Sequence, residues 1–231
     1  MMITATWHGH SCYTIDIDGT KIVLDPFFTG SPVAQMDADA VEADFILLSH
    51  GHSDHLGDAL AIAARTGATI IAPFELASYC GAQGAEVHAM HIGGGFNFPW
   101  GRLQLTIAHH GSALIEDGGR PLYLGNPCGF LIKTERKCIY YAGDTGLFLD
   151  MKLIGDRNRI DLAMLPIGDN FTMGVEDAIT AVEYLKPKTA IPMHYGTWEV
   201  IDTDPEEFAA GTEKVGIKSV VLQVGESFTI E

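Results

Sequence analysis

A layered α/β fold, with two mixed β-sheets packed face to face and helices on the outside, is what this sequence predicts. Strand-like runs and hairpin signals cluster at the opening of each half of the chain. Strand–helix alternation follows each cluster, and one late helix carries a clear apolar face. At 231 residues and 47% hydrophobic, the chain can bury a sizeable core. No linker, low-complexity tract or solenoid repeat divides it, so residues 1–231 are read as a single domain.

The elements follow in order. Ile3–Trp7, Tyr13–Ile17 and Lys21–Asp25 read as strands, and Asp18-Gly19 between the last two is a hairpin turn signal. Asp44–Ser49 and Thr69–Ala72 are apolar strands flanking a helix at Leu56–Arg65, with a second helix at Phe74–Cys80. Further strands are expected at Arg102–Ala108, Gly129–Thr134, Cys138–Ala142 and Leu162–Pro166. In the helix Gly174–Leu185, the residues Val175, Ala178, Ile179, Val182 and Leu185 recur at helical spacing. A strand at Thr189–Pro192, a helix at Pro205–Val215 and strands at Ser219–Gln223 and Ser227–Ile230 complete the chain. A doubly wound parallel sheet fits worse, because the early strands lack partner helices. Gly93-Gly94-Gly95 leads into Phe96 and Asn97 instead of the helix a phosphate-binding turn requires.

Composition excludes some functions. With 14 Lys+Arg against 30 Asp+Glu the formal net charge is −16. That opposes broad docking on nucleic acid or on anionic membranes, both of which need clustered cations. Met1 to Trp7 lacks the basic and apolar regions of a secretory signal, and apolar stretches such as Ala59–Ala64 are too short to span a bilayer. Cys12, Cys80, Cys128 and Cys138 are scattered among apolar residues, which reads as buried thiols in a reducing cytoplasm.

The histidines are not scattered. Ser49-His50-Gly51-His52-Ser53-Asp54-His55 follows an apolar strand and holds three histidines and one aspartate, far denser than 10 histidines in 231 residues would produce by chance. Imidazole and carboxylate suit zinc, manganese or iron. Residues two apart in an extended turn point the same way, so His50 and His52 can clasp one ion while Asp54 and His55 reach a second. Six residues cannot complete two coordination shells. Three other strands end in a ligand-type residue and a Gly-containing turn: His109-His110-Gly111-Ser112, Gly143-Asp144-Thr145 and Pro192-Met193-His194-Tyr195-Gly196.

These motifs, with Leu24-Asp25-Pro26, resemble in order those of the metallo-β-lactamase superfamily of metal-dependent hydrolases, over essentially the whole chain. Trp7-His8-Gly9-His10-Ser11, Ala142–Phe148 and Pro166–Gly174 resemble a bacterial and archaeal branch related to ascorbate-6-phosphate lactonase. The resemblance implies a four-layer αββα sandwich with two metal ions at one edge. It assigns His50, His52 and His110 to one ion, Asp54, His55 and His194 to the other, and Asp144 as the bridge. Asp54 and Asp144 are then the carboxylates expected to serve catalysis. His110 is preferred to His109 because it aligns with the related pattern once Ala108 and Gly111-Ser112 are matched, and adjacent residues cannot both face the metals.

Other residues carry open readings. Asp25 is a turn carboxylate or, as the family position implies, an acceptor orienting a metal-bound imidazole. His10 is a hydrogen-bonded structural histidine or, by the same resemblance, a substrate contact. His8, His88 and His91 read as structural. Asp169 and Asn170 either cap the next helix or contact substrate. Gly93–Gly101 is an aromatic lid or a core-filling loop, and Asp117–Gly129 is long enough to cap the site. The functional expectation is a hydrolase whose metal-bridging hydroxide attacks a small-molecule ester, lactone, amide or phosphodiester. Zinc is the first choice of metal, and self-association of the chain is plausible. A nuclease of the same superfamily would want a basic docking surface, an iron-dependent redox protein would hold iron in a similar cage, and a non-catalytic module would bind metal without turnover.

Overall fold

A computed structural model describes residues 2–116 and 118–230. The chain opens with strands β1 (Ile3–Trp7), β2 (Tyr13–Ile17) and β3 (Thr20–Leu24), followed by β4 (Phe45–Leu47). Helices α1 (Ser53–Leu56) and α2 (Ala59–Thr66) lead to β5 (Thr69–Pro73), α3 (Phe74–Ala82) and β6 (Val87–Met90). The second half contains β7 (Gly95–Phe98), β8 (Gly101–Ile107), a small hairpin of β9 (Ala113–Ile115) and β10 (Pro121–Tyr123), then β11 (Cys128–Lys133) and β12 (Cys138–Tyr141). After these come α4 (Asp150–Arg157), β13 (Leu162–Pro166), α5 (Val175–Leu185), β14 (Thr189–Met193), α6 (Pro205–Lys214), β15 (Lys218–Ser219) and β16 (Ser227–Thr229).

The two large sheets are built alike. The first runs β16-β1-β2-β3-β4-β5-β6 and the second β15-β14-β13-β12-β11-β8-β7. In each, hairpin-connected antiparallel strands give way to parallel strands joined through helices. Burial follows from that pairing. β1 and β2 alternate buried and half-buried residues, whereas β13 and β14 are buried throughout because both their faces are covered. One apolar core lies between the sheets, with Ile15, Leu24, Leu47, Phe130 and Met164 among its members. A second packs the first sheet on α2 and α3 through Ile46, Ile62 and Leu76. A third packs the second sheet on α4, α5 and α6 through Met151, Val182 and Phe208. The order of layers is αββα, as expected.

Some expectations change. The helix expected over Leu56–Arg65 is split at Gly57, which has φ +41° and lies so close to the Pro26 carbonyl that a β-carbon would collide with it. α4 was not foreseen, and the strand expected at Ser219–Gln223 is only Lys218–Ser219. Gly93–Gly101 is not a lid. Phe96 and Phe98 lie on edge strand β7, where Phe98 stacks on Trp100 at 5.1 Å and both rings pack on Phe45. Phe45 begins β4, and the histidine run lies beyond that strand's other end. Among the described residues, no helix is long and apolar enough to cross a membrane.

Candidate metal centre

The sequence-predicted ligands converge where the parallel strands end. The turn after β4 delivers His50 and His52, and α1 delivers Asp54 and His55. His110 follows β8, Asp144 follows β12, and His194 follows β14. The backbone is bent sharply to place them: His10, Asp25 and His194 have φ of +53°, +42° and +56°, a region that non-glycine residues rarely adopt. Gly143 enables the turn into Asp144, since at φ +63° its missing side chain leaves room for the Cys128 carbonyl, 2.7 Å from where a β-carbon would sit.

Two groups of donor atoms share one carboxylate. In the first, His52 Nδ1 lies 2.9 Å from His50 Nε2 and 3.3 Å from His110 Nε2. In the second, Asp54, His55 and His194 gather with His10, all within 4.8 Å of one another by their donor atoms. Asp144 Oδ2 stands between, 2.9 Å from His194 Nε2, 3.2 Å from His55 Nε2 and 3.6 Å from His110 Nε2.

Asp25 organises the ligands from behind. Its Oδ1 accepts the Ser49 backbone N–H at 2.8 Å, while Oδ2 accepts from Ser49 Oγ (2.5 Å), His55 Nδ1 (2.8 Å) and Tyr141 OH (2.7 Å). Because Ser49 Oγ gives its proton to Asp25, it accepts from His50 Nδ1 at 2.9 Å. Both imidazoles therefore carry an N–H on Nδ1 and aim Nε2 toward the cluster. Asp25 also lies within 4.8 Å of His50 and His55 by donor atoms, but its four accepted hydrogen bonds turn its oxygens toward their donors.

The electrostatics call for a cation. Burial opposes charge on His55, but the carboxylates of Asp144, Asp54 and Asp25 outweigh it and hold that imidazole well above its usual value. Burial likewise opposes charge on Asp144, yet His194 and His55 keep it well below the ordinary carboxylate range. Burial pushes His50 strongly down and lowers His10 to about 4, so these stay neutral. His55 Nε2, Asp144 Oδ1 and His194 Nδ1 are buried with no hydrogen-bond partner, and orphaned polar atoms of this kind are costly. Around a tetrahedral zinc with Zn–N of about 2.0–2.1 Å, ligand nitrogens lie roughly 3.3 Å apart. The His50, His52 and His110 spacings are close to this, so the donor set fits divalent metal.

His10 belongs to the second donor group, and the remaining candidates lie outside the cluster. His109 turns away, stacking on Phe148 at 5.1 Å, so only His110 of the pair faces the donors. His10 is fully buried behind the cavity wall; its Nε2 meets Asp54 Oδ2 at 3.1 Å and its Nδ1 meets Thr197 Oγ1 at 2.8 Å, as a hydrogen-bonded structural histidine would. Asn170 neither caps α5, which has Gly174 at its N-cap, nor lines the cavity. His8 bonds Thr14 Oγ1 at 2.8 Å, and His88 and His91 pack on Phe96 and Phe74. The four cysteines are buried and unpaired, and burial pushes Cys80 and Cys138 up to about 11.

Above the donors lies a cavity of about 620 Å³ walled by Phe27, Ile115, Phe171, Trp198 and Val200, with His52, Asp54, His110, Asp144 and His194 as its polar floor. The sequence reading missed these apolar residues. Phe171 adjoins Asn170, and Trp198 sits four residues past His194, so proximity to motif residues was the available signal. Ala113 and Ile115 of β9 reach the cavity, but none of residues 118–129 lines it, so the expected cap is supplied by the strand before that loop; Asp117 lies outside the described residues.

Comparison with known proteins identifies the family and the fold. A family model described as "Beta-lactamase superfamily domain" matches residues 4–194. A UPF0173 metal-dependent hydrolase of Pelotomaculum thermopropionicum is 53% identical over 97% of this chain and 99% of its own. A homologue of the same description from Bacillus cytotoxicus is 52% identical at the same coverage. The solved structure of Igni18, a metallo hydrolase from the archaeon Ignicoccus hospitalis, superposes with a TM-score of 0.91 at 34% identity, covering 100% of this chain and 99% of that one. The chain belongs to the UPF0173 metal-dependent hydrolases of the metallo-β-lactamase superfamily.

Proposed function

We propose that this hydrolase works with two divalent ions, zinc in preference to manganese or iron, on an ester, lactone, amide or related bond of a small, uncharged substrate. The observation that carries this reading is the position of Asp144 Oδ2 within 3.6 Å of His55, His110 and His194 nitrogens belonging to both donor groups. His50, His52 and His110 would hold one ion and Asp54, His55 and His194 the other, with Asp144 shared. Imidazole-rich donors favour zinc. Ions bound there supply an activated water at neutral pH and polarise the oxygen of the scissile bond.

The chain's own residues do the rest. Asp25 and Ser49 fix the tautomers of His55 and His50, and His10 holds Asp54 in place from a buried position. Phe27, Phe171, Trp198 and Val200 offer apolar contact to the substrate, and no Lys or Arg lines the cavity, which favours a neutral substrate over a sugar phosphate. The acidic balance disfavours nucleic acid as substrate. Four buried, unpaired cysteines support a cytoplasmic setting.

The test is metal quantification on protein purified without added metal, followed by a panel of neutral esters, lactones and amides, phosphorylated lactones, and bis(p-nitrophenyl) phosphate. Two equivalents of zinc and preferential cleavage of a neutral acyl compound are expected. Iron with visible absorption, or metal with no turnover of any bond class, would overturn the reading.

A further inference from the structure

The protein has only 14 Lys and Arg residues, yet six of them, Lys133, Arg136, Lys137, Arg157, Arg159 and Lys188, line a single open cavity of about 370 Å³. Three separate segments of chain supply them: the turn between β11 and β12, the passage from α4 to β13, and the residue just before β14. Asp161 is the only acid on the wall. It is paired with Lys188 at 2.6 Å and Lys137 at 3.6 Å and accepts the Cys138 backbone N–H. Glu135, in the same turn, is exposed and not part of the wall.

The arginines are left over. Arg136, Arg157 and Arg159 are exposed, and none of them makes an ion pair or a side-chain hydrogen bond among the described residues. Gathering like charges is unfavourable, and a chain of net charge −16 has acidic partners in plenty elsewhere. Guanidinium groups match phosphate and carboxylate oxygens in a bidentate fork. Beside this cavity, a second hollow of about 260 Å³ shares Lys133, Arg157 and Asn158 and adds Leu131, Leu153 and Ile154. Cations meet apolar surface there.

We propose that this end of the second sheet binds a small polyanion carrying an apolar or aromatic group, of which a nucleoside triphosphate is the plain example. The proposal is independent of the hydrolase reading, since the cavity shares no residue with the metal-type cluster.

Calorimetric titration of the metal-loaded protein with ATP and with inorganic tripolyphosphate tests it, with magnesium in excess so that neither strips the metal site. Both should bind saturably at one site, ATP the more tightly. R157Q/R159Q should weaken both by on the order of tenfold or more, since each charge-assisted hydrogen bond contributes to binding, and should leave metal content unchanged. L153N should erase the advantage of ATP over tripolyphosphate. Absence of saturable binding, or equal binding by wild type and R157Q/R159Q, would overturn the proposal. So would retention of a single-stranded oligonucleotide that tripolyphosphate fails to displace, which would make this a nucleic-acid surface. A change in sedimentation of R157Q/R159Q with no anion bound would mark an interface between copies instead.

Discussion

The two ends of the second sheet carry opposite electrostatic problems. Where β12 and β14 end, Asp144 and His194 are buried, and polar atoms on both lack partners. Where the same strands begin, Lys137 and Lys188 share one aspartate while three arginines stand exposed and, among the described residues, unpaired. Burial separates the two cases. Desolvated donors must be matched by something inside the protein, so the ligand end demands a cation of fixed geometry. Solvated arginines tolerate vacancy, so the cationic end suits a ligand that comes and goes.

Substitutions can break or sharpen that contrast. The largest effect is expected from Asp144→Ala, which removes the oxygen common to both donor groups. Elemental analysis should find the bound metal lost, and kcat/KM on a neutral ester should fall by more than about 100-fold, beyond what loss of an orienting group costs. Retained metal and rate would break the assignment. Asp25→Asn should act less severely, by loosening the orientation of His55 and His50. Chelator competition should show a drop in metal affinity of roughly 10–100-fold, with anion binding at the other end unaffected; unchanged affinity would mean the buried network is dispensable. The smallest effect is expected from Trp198→Ala. Trp198 is 39% exposed and packs against His10 and Phe27, so stability should fall by about 1–2 kcal/mol. The KM for esters with bulky apolar acyl groups should rise on the order of tenfold, the scale of losing an apolar contact, while acetate esters and metal content hold steady. Equal effects on both esters would show that the aromatic wall does not choose substrate.

Legibility in the sequence tracked chain continuity. His50 to His55 stood out because four donors fall in six residues after an apolar strand, and apolar strands with turn residues gave away both sheets. α4 was hidden because in Asp150–Arg157 only Met151 is buried and Gly155 interrupts the helical pattern. β9 and β10 were hidden because each is three residues long and neither holds a fully buried residue. The break at Gly57 depends on Pro26, thirty-one positions earlier, and no local pattern reports such an approach. The cavity wall and the cationic cluster share that difficulty: their members come from segments distant in the chain, those of the wall from both halves and those of the cluster from the second sheet alone, and they meet only on folding.

The donor set draws on both sheets, which gives the ligands a mechanical role. His50, His52, Asp54 and His55 follow a strand of the first sheet, and His110, Asp144 and His194 follow strands of the second. An ion gripped from both sides is a rivet through the sandwich, so its binding energy is also cohesion of the fold. A nascent chain whose halves have not yet docked possesses only half of each grip. An ion held there would join the two sheets at this edge, and withdrawing it is expected to loosen the seam between them.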